Sequence, residues 1–250
     1  MQWIKYEREG HIATITMNRP ERLNAWGKST SDELAEAFQQ YDDDEEARVA
    51  ILCGAGRAFC AGGDAKDYRE RQAPWSKSPQ DELGIFGQSK LFKPVIGAIQ
   101  GHCLGAGLLL IAMRCDIRIA ADNASFGLPE VAVGIVNCMV GISNQALPLC
   151  VLMEMAMTAD PIDAKRAYEL GMINKVVPLA DLMAEARKMA ERIAKNSPDA
   201  IRWTKQNLLK SYEVTKEAKA LESELFQLSS NSRGAIDGFS AVAGKSKLKW

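Results

Sequence analysis

The stretch GHCLGAGLLLIAMRCDIRIAADNASFGLPEVAVG, residues 101–134, decides how the chain reads. Its turn, Gly105-Ala106-Gly107, is one that small residues make readily. The apolar run 108–113 follows at once and is long enough for a buried helix. Residues 116–120, Asp-Ile-Arg-Ile-Ala, then read as a short strand, and 126–130, Phe-Gly-Leu-Pro-Glu, as a tight loop. A small-residue turn opening a buried helix leaves main-chain N–H groups at the positive end of the helix dipole. A developing negative oxygen is stabilised there. Glu130 is placed to move a proton beside such an oxygen.

Working outward, residues 95–99 form a second apolar run, set off by Lys93-Pro94 and leading into Gly101. Residues 49–53, Val-Ala-Ile-Leu-Cys, are continuous in apolar character, as in a strand buried on both faces. They lead through Gly54-Ala-Gly56 to a second small-residue loop, residues 58–64. Two strands therefore each end in a Gly/Ala-rich loop, at 61–63 and 105–107, which lets distant sequence bring two main-chain donors together. Upstream, residues 3–8 and 11–17 alternate around Glu9-Gly10 and predict a β-hairpin. Pro20 stops the second strand. A helix starting near Thr30 or Ser31 carries Leu34, Ala37, Phe38 and Tyr41 on one face. The acidic run 42–46 reads as a solvated helix end. Residues 69–84 predict an exposed, mobile loop, and 84–91 a helix.

Downstream, residues 136–141 read as a loop and 143–157 as a helix. A further helix over 163–170 has Asp163 as N-cap and Gly171 beyond its end. Residues 173–177 suit a short strand. The rest reads as helices over 179–194, from Pro198 on, and over 217–228, then a Gly- and Lys-rich tail. The chain is thus α/β for two thirds and helical after that. Such a helical layer covers a site or packs on another subunit.

Composition narrows the function. A chain of 250 residues with 47% hydrophobic and 25% charged residues suits one domain plus an appendage. A net charge of −1 implies no bulk attraction to nucleic acid or membrane. The cysteines at 53, 60, 103, 115, 138 and 150 sit among apolar or small residues with no Cys-x-x-Cys pair, and read as buried free thiols of a reducing compartment. With only His11 and His102, no His-rich metal site is expected. His102 reads as a core histidine. No targeting or membrane-spanning run is present, so a cytoplasmic location is expected.

These residues resemble the crotonase superfamily, the enoyl-CoA hydratase/isomerase family. The resemblance rests on 18–20 (Asn-Arg-Pro), 23–25 (Leu-Asn-Ala), 58–64, Lys93-Pro94 with 95–98, 101–120 and 126–130. It runs on through 164–171, Val176-Val177 and 234–239, in this order and spacing. It implies a spiral of ββα units over 1–195, a C-terminal helical region over 196–250, and a homotrimer or a hexamer built as a dimer of trimers. It implies an acyl-CoA thioester substrate, with coenzyme A carried by the substrate and no other cofactor. The thioester oxygen would be held by the N–H groups of Gly63 and Ala106. Alanine at 106 replaces the usual glycine but keeps its N–H. Ala61, Gly62, Asp64, Ala65 and Lys66 lie where the family holds the pantetheine and adenine, and Arg22, Leu23 and Ala25 at the CoA entrance. For Lys66 and Asp67, CoA contact and plain surface are equally open.

One departure bears on the chemistry. Hydratases of the family carry a glutamate two residues beyond the last glycine of the turn. Leu109 stands there. The chain also runs one residue longer between Gly107 and Asp116, which makes Leu110 the alternative match, and neither is a carboxylate. Glu130 keeps the family's second glutamate position, fourteen residues after Asp116. Adding water calls for a group to orient it as well as one for the α-proton. A single carboxylate beside an oxyanion site suffices to shuttle a proton between two carbons. Enoyl-CoA isomerisation is therefore the leading expectation. Hydration, decarboxylation, C–C hydrolysis or lysis, and non-catalytic CoA-thioester binding are the alternatives. Asn137, Cys138 or Ser143 could supply a second polar contact. Pro129 and Val131 should raise the Glu130 pKa. Asp116 reads as structural, pairing with Arg114 or Arg118 or capping a turn.

Overall fold

The structure, a computed structural model, describes residues 1–66, 91–137, 147–210 and 216–244. Strands β1 (Ile4–Glu9) and β2 (Ile12–Met17) form the expected antiparallel hairpin, with Gly10 at φ 58° in its turn. Helix α1 (Lys28–Asp43) begins ahead of Thr30, because that hydroxyl caps the helix from inside, accepting from the Gly27 N–H at 2.8 Å. Then come β3 (Val49–Gly54), β4 (Val95–Ile99), β5 (His102–Leu104), α2 (Ala106–Arg114), β6 (Ile117–Ala121) and β7 (Ser125–Gly127). A 3₁₀ turn over Pro129–Val133 follows. After it lie α3 (Leu149–Thr158), β8 (Ile162–Asp163), α4 (Ala164–Glu169), β9 (Lys175–Val177) and α5 (Leu182–Ala194). The C-terminal layer is α6 (Pro198–Lys210), α7 (Lys216–Ser230) and α8 (Arg233–Gly244).

The strands form two sheets, in the orders β1-β2-β3-β4-β6-β9 and β5-β7-β8. From β2 to β9 the larger sheet is parallel. The chain alternates between sheets: β4 joins the larger and β5 the smaller, and β6 and β7 repeat the pattern. Strand β3 shows why the larger sheet is buried on both faces. Ala50 and Leu52 face one core with Phe38 and Tyr41 of α1, while Val49 and Ile51 face a second core with Leu182, Ala186 and Ala190 of α5. Each large aliphatic side chain so buried contributes about 1.5–3 kcal/mol. The expected Asp163 cap is present, its Oδ1 accepting from the Arg166 N–H at 2.7 Å.

Several expectations are corrected. Phe126 and Gly127 are strand rather than loop, since Phe126 pairs with Cys103 on one side and Ile162 on the other. Helix α3 starts at Leu149, because Pro148, which has no N–H to donate, adopts extended backbone at its N-cap. Residues 143–146 of the helix expected there lie outside the described residues, as do 69–84 and all of the helix expected over 84–91 except Leu91, which is buried and not helical. The tail is helical over Arg233–Gly244. Asp116 bonds neither Arg114 nor Arg118. Its Oδ2 accepts from the Val95 N–H and from Lys205 Nζ, both at 2.8 Å, tying α6 to the start of β4. Arg118 instead donates to the carbonyls of Ile111, Ala112 and Met172. His102 is exposed, its Nδ1 3.0 Å from Ser125 Oγ. Cys53, Cys60, Cys103 and Cys115 are buried free thiols, but Cys150 is exposed; Cys138 lies outside the described residues.

Candidate active site

The first loop is held from three sides. Leu23 and Asn24 both adopt left-handed backbone, φ 52° and 54°. Buried Asn24 makes that bend stable: its amide donates to the carbonyls of Ala55 and Ala58 at 2.9 and 2.8 Å, and its Oδ1 accepts from the Arg19 N–H at 2.8 Å. The bend then presents the Leu23 carbonyl to the Ala61 N–H at 3.0 Å. Trp26 pairs across Gly63, its N–H donating to Gly62 O and its carbonyl accepting from the Asp64 N–H, each at 2.7 Å. In this pairing Gly63's own N–H points away from Trp26. Gly63 is exposed, and a β-carbon added there would meet nothing within 4 Å.

The second turn lies alongside. Leu104 N–H donates to Cys60 O at 2.9 Å, and Gly105 N–H to Gly127 O at 2.9 Å. Gly105 takes φ 50°, ψ −114°, a conformation closed to a residue with a side chain. A β-carbon there would stand 2.6 Å from Glu130 Oε1 and 3.7 Å from Gly62 Cα. The carboxylate therefore crowds this glycine, and the first loop lies in ordinary contact with it. Ala106 is the first residue of α2, so its N–H has no partner inside the helix. Neither Gly63 N–H nor Ala106 N–H has an acceptor among the described residues.

Glu130 comes from the 3₁₀ turn after β7. Its Oε2 accepts from Asn137 Nδ2 at 3.2 Å. The residue keeps intermediate exposure overall, but its carboxyl is hemmed in, and burial pushes its pKa from 4.5 up to about 7. The Asn137 amide and its own main chain oppose that rise. Such a group both accepts and returns a proton near neutrality.

Of the other residues singled out from the sequence, Leu109 is buried in α2, as is Leu110, and neither brings a second acid to Glu130. Asp64 is buried and committed within the protein. It accepts from Arg19 Nη1 at 2.9 Å, from Arg22 Nη2 at 3.1 Å and from the Lys66 N–H at 3.0 Å. Arg22, Leu23, Ala25, Ala61 and Ala65 are half-buried around this loop, Gly62 is buried beneath it, and Lys66 is exposed. Asp67, Cys138 and Ser143 lie outside the described residues. Sequence reasoning missed the scaffolding roles of Asn24 and Trp26. The signal for Asn24 was present, since asparagine between small and apolar residues favours left-handed backbone. Nothing local marks Trp26, whose partner is 37 residues away.

By fold and site this is a two-sheet α/β protein with a carboxylate set against a main-chain turn where the sheets meet. Residues 7–250 match the family model described as Enoyl-CoA hydratase/isomerase. The chain is 37% identical to the short-chain-enoyl-CoA hydratase of Clostridium acetobutylicum, over 97% of this chain and 95% of that one. It is 36% identical to the carnitinyl-CoA dehydratase of Proteus mirabilis, over 100% and 98%. The crystal structure of a carnitinyl-CoA hydratase from Mycobacterium avium superposes with a TM-score of 0.87 at 30% identity, covering 100% of this chain and 98% of that one. The chain belongs to the enoyl-CoA hydratase/isomerase family, and its fold is the crotonase fold.

Proposed function

We propose that the protein is an acyl-CoA enzyme that stabilises a thioester enolate, with Glu130 as its acid/base. The observation that carries this reading is the Glu130 carboxyl crowded against Gly105, one residue from the unbonded Ala106 N–H. In the leading form the substrate is a 3-enoyl-CoA. Glu130 takes a proton from C2, and the electron pair moves into the thioester carbonyl, giving a dienolate. The Gly63 and Ala106 N–H groups bind its oxygen. Glu130 then delivers the proton to C4, and the double bond ends between C2 and C3. Removing one such preorganised donor typically costs about 2.7–4 kcal/mol of barrier. Asn137 holds one carboxyl oxygen and leaves the other for the proton. Arg22, Leu23, Ala25, Ala61, Gly62, Ala65 and Lys66 line the approach for coenzyme A.

A second reading, reversible addition of water to a 2-enoyl-CoA, is favoured by the relatives' names, which are hydratase and dehydratase. It must run without a carboxylate at Leu109 or Leu110. One assay separates the two. Purified protein is given a 3-enoyl-CoA, a 2-enoyl-CoA and a 3-hydroxyacyl-CoA, and the assay is repeated with Glu130→Gln. The leading form requires 3-enoyl turnover that falls at least about a hundredfold in the variant. Faster hydration of the 2-enoyl-CoA would replace isomerisation by the second reading. Tight binding with no turnover on any of the three would mark a non-catalytic CoA-thioester binder.

A further inference from the structure

The fold places one side chain at the crossing of the two amide-bearing turns. Cys60 is fully buried. Its N–H donates to His102 O at 2.9 Å and its carbonyl accepts from the Leu104 N–H at 2.9 Å, so its backbone fixes the register of the two segments. Its side chain lies between them. A β-carbon built on Gly107 would fall 2.8 Å from Cys60 Cβ and 3.2 Å from Cys60 Sγ. The second residue of α2 therefore lies flush on this side chain. On the other side, Sγ lies 3.9 Å from the carbonyl of Gly62, the residue before Gly63. Burial pushes the thiol up to about 12, so it stays neutral and keeps its proton for that carbonyl.

We infer that Cys60 is a positioning residue, whose side chain spaces the Gly63 and Ala106 amides and so sets how strongly they polarise a thioester carbonyl. The inference rests on the proposed role of those two amides. Close-packed interiors leave no slack at such a contact. A larger side chain at 60 pushes against Gly107 and displaces the start of α2 together with Ala106. Alanine keeps the β-carbon but removes the sulfur that lies against Gly107 on one side and the Gly62 carbonyl on the other. Hydrogen bonds weaken steeply as their angle degrades. A small displacement is thus felt where charge develops on the thioester oxygen, and far less where the rest of coenzyme A binds. The thiol itself touches no reacting atom.

The test is spectroscopic and kinetic. The probe is a 2-enoyl-CoA conjugated to a para-dimethylaminophenyl ring, whose absorption moves to longer wavelength as its carbonyl is polarised. Wild type, Cys60→Ala, Cys60→Ser and, as an equal truncation elsewhere in the core, Cys115→Ala are compared. Cys60→Ala should bind the probe within about threefold of wild type, show a clearly smaller red shift, and lose about tenfold or more in kcat with little change in KM. Cys60→Ser, which keeps a donor of nearly the same size, should fall between the two. Cys115→Ala should lose thermal stability only. Full red shift and wild-type kcat in folded Cys60→Ala overturn the inference, and folded Cys60→Ser with that behaviour does so if the alanine variant does not fold. A wild type that binds the probe without any red shift refutes the amide reading itself, which separates the two failures.

Discussion

At the scale of single residues, the proposed chemistry rests on Glu130, which is reluctant to ionise. Its carboxyl is raised from 4.5 to about 7, chiefly by burial. Between those two values the folded chain holds a proton that the unfolded chain has released. Folding therefore takes up a proton, and stability falls as pH rises through this window, with the full loss reached above about 7. A rise of that size corresponds to about 3–4 kcal/mol at most. Glu130→Gln removes the titration while keeping an oxygen for Asn137. It should melt like wild type near pH 4 and at higher temperature than wild type at pH 8. Melting curves across that range check this, and equal melting temperatures at pH 8 would refute it. The wild-type rate should likewise change slope near pH 7, and the variant's should not. Gly105 is the complementary case. Gly105→Ala meets both a forbidden backbone conformation and the Glu130 carboxyl. It should cost about 1–3 kcal/mol of stability and lower kcat/KM by about a hundredfold or more, because Glu130 must move aside. Thermal melts and steady-state kinetics read both effects.

Elements came through from the sequence where a local rule dominates. The hairpin, the doubly buried β3 and the Asp163-capped α4 follow from alternation, apolar continuity and capping chemistry. Elements held by distant contacts did not. Helix α8 has a composition that argues against a helix, with Gly234 and Gly238 inside it. It forms because it packs on the 3₁₀ turn that carries Glu130: a β-carbon on Gly238 would fall 2.4 Å from Val133 O. From α7, Ser229 Oγ accepts the Val136 N–H at 3.0 Å, fastening the same segment one residue from Asn137. The C-terminal layer thus braces the loop that carries Glu130 in its own chain. Gly238→Ala should separate α8 from the turn, and both melting temperature and kcat should fall while β-sheet content stays unchanged. Circular dichroism and turnover measured on one preparation test this. An unchanged kcat would show that the turn holds Glu130 without α8. The start of α3 is a different kind of miss, since Pro148 was visible in the sequence and marks a helix start.

For the molecule as a whole, the α/β class and the positions of both turns were legible from their small residues and the buried runs 49–53 and 95–99, but β5 (His102–Leu104), which the structure inserts between β4 and the second turn, was not, because it is short and has an exposed end. The clamp that Asn24 and Trp26 put on the first loop was not, since it joins segments that only the closed sheets bring together. The same limit applies to the surface. Leu221, Leu225 and Leu228 lie at helical spacing on α7, and Leu149, Met153 and Met157 on α3, and all six are exposed, Met157 by 72%. Scattered exposed leucines are ordinary, but aligned apolar stripes on two helices mark surfaces that associate. Copies of this chain are the partner that the resemblance implies, as a trimer or a dimer of trimers. Light scattering behind a sizing column should give three or six times the monomer mass. Replacing Leu225 and Leu228 together by glutamate should shift that mass down, because burying two charges against apolar surface outweighs what the stripe gains. The monomeric variant should retain its fold, because neither side chain is part of the protein's own core. A wild type that runs as a monomer at micromolar concentration would end the assembly proposal and leave the stripes to another partner.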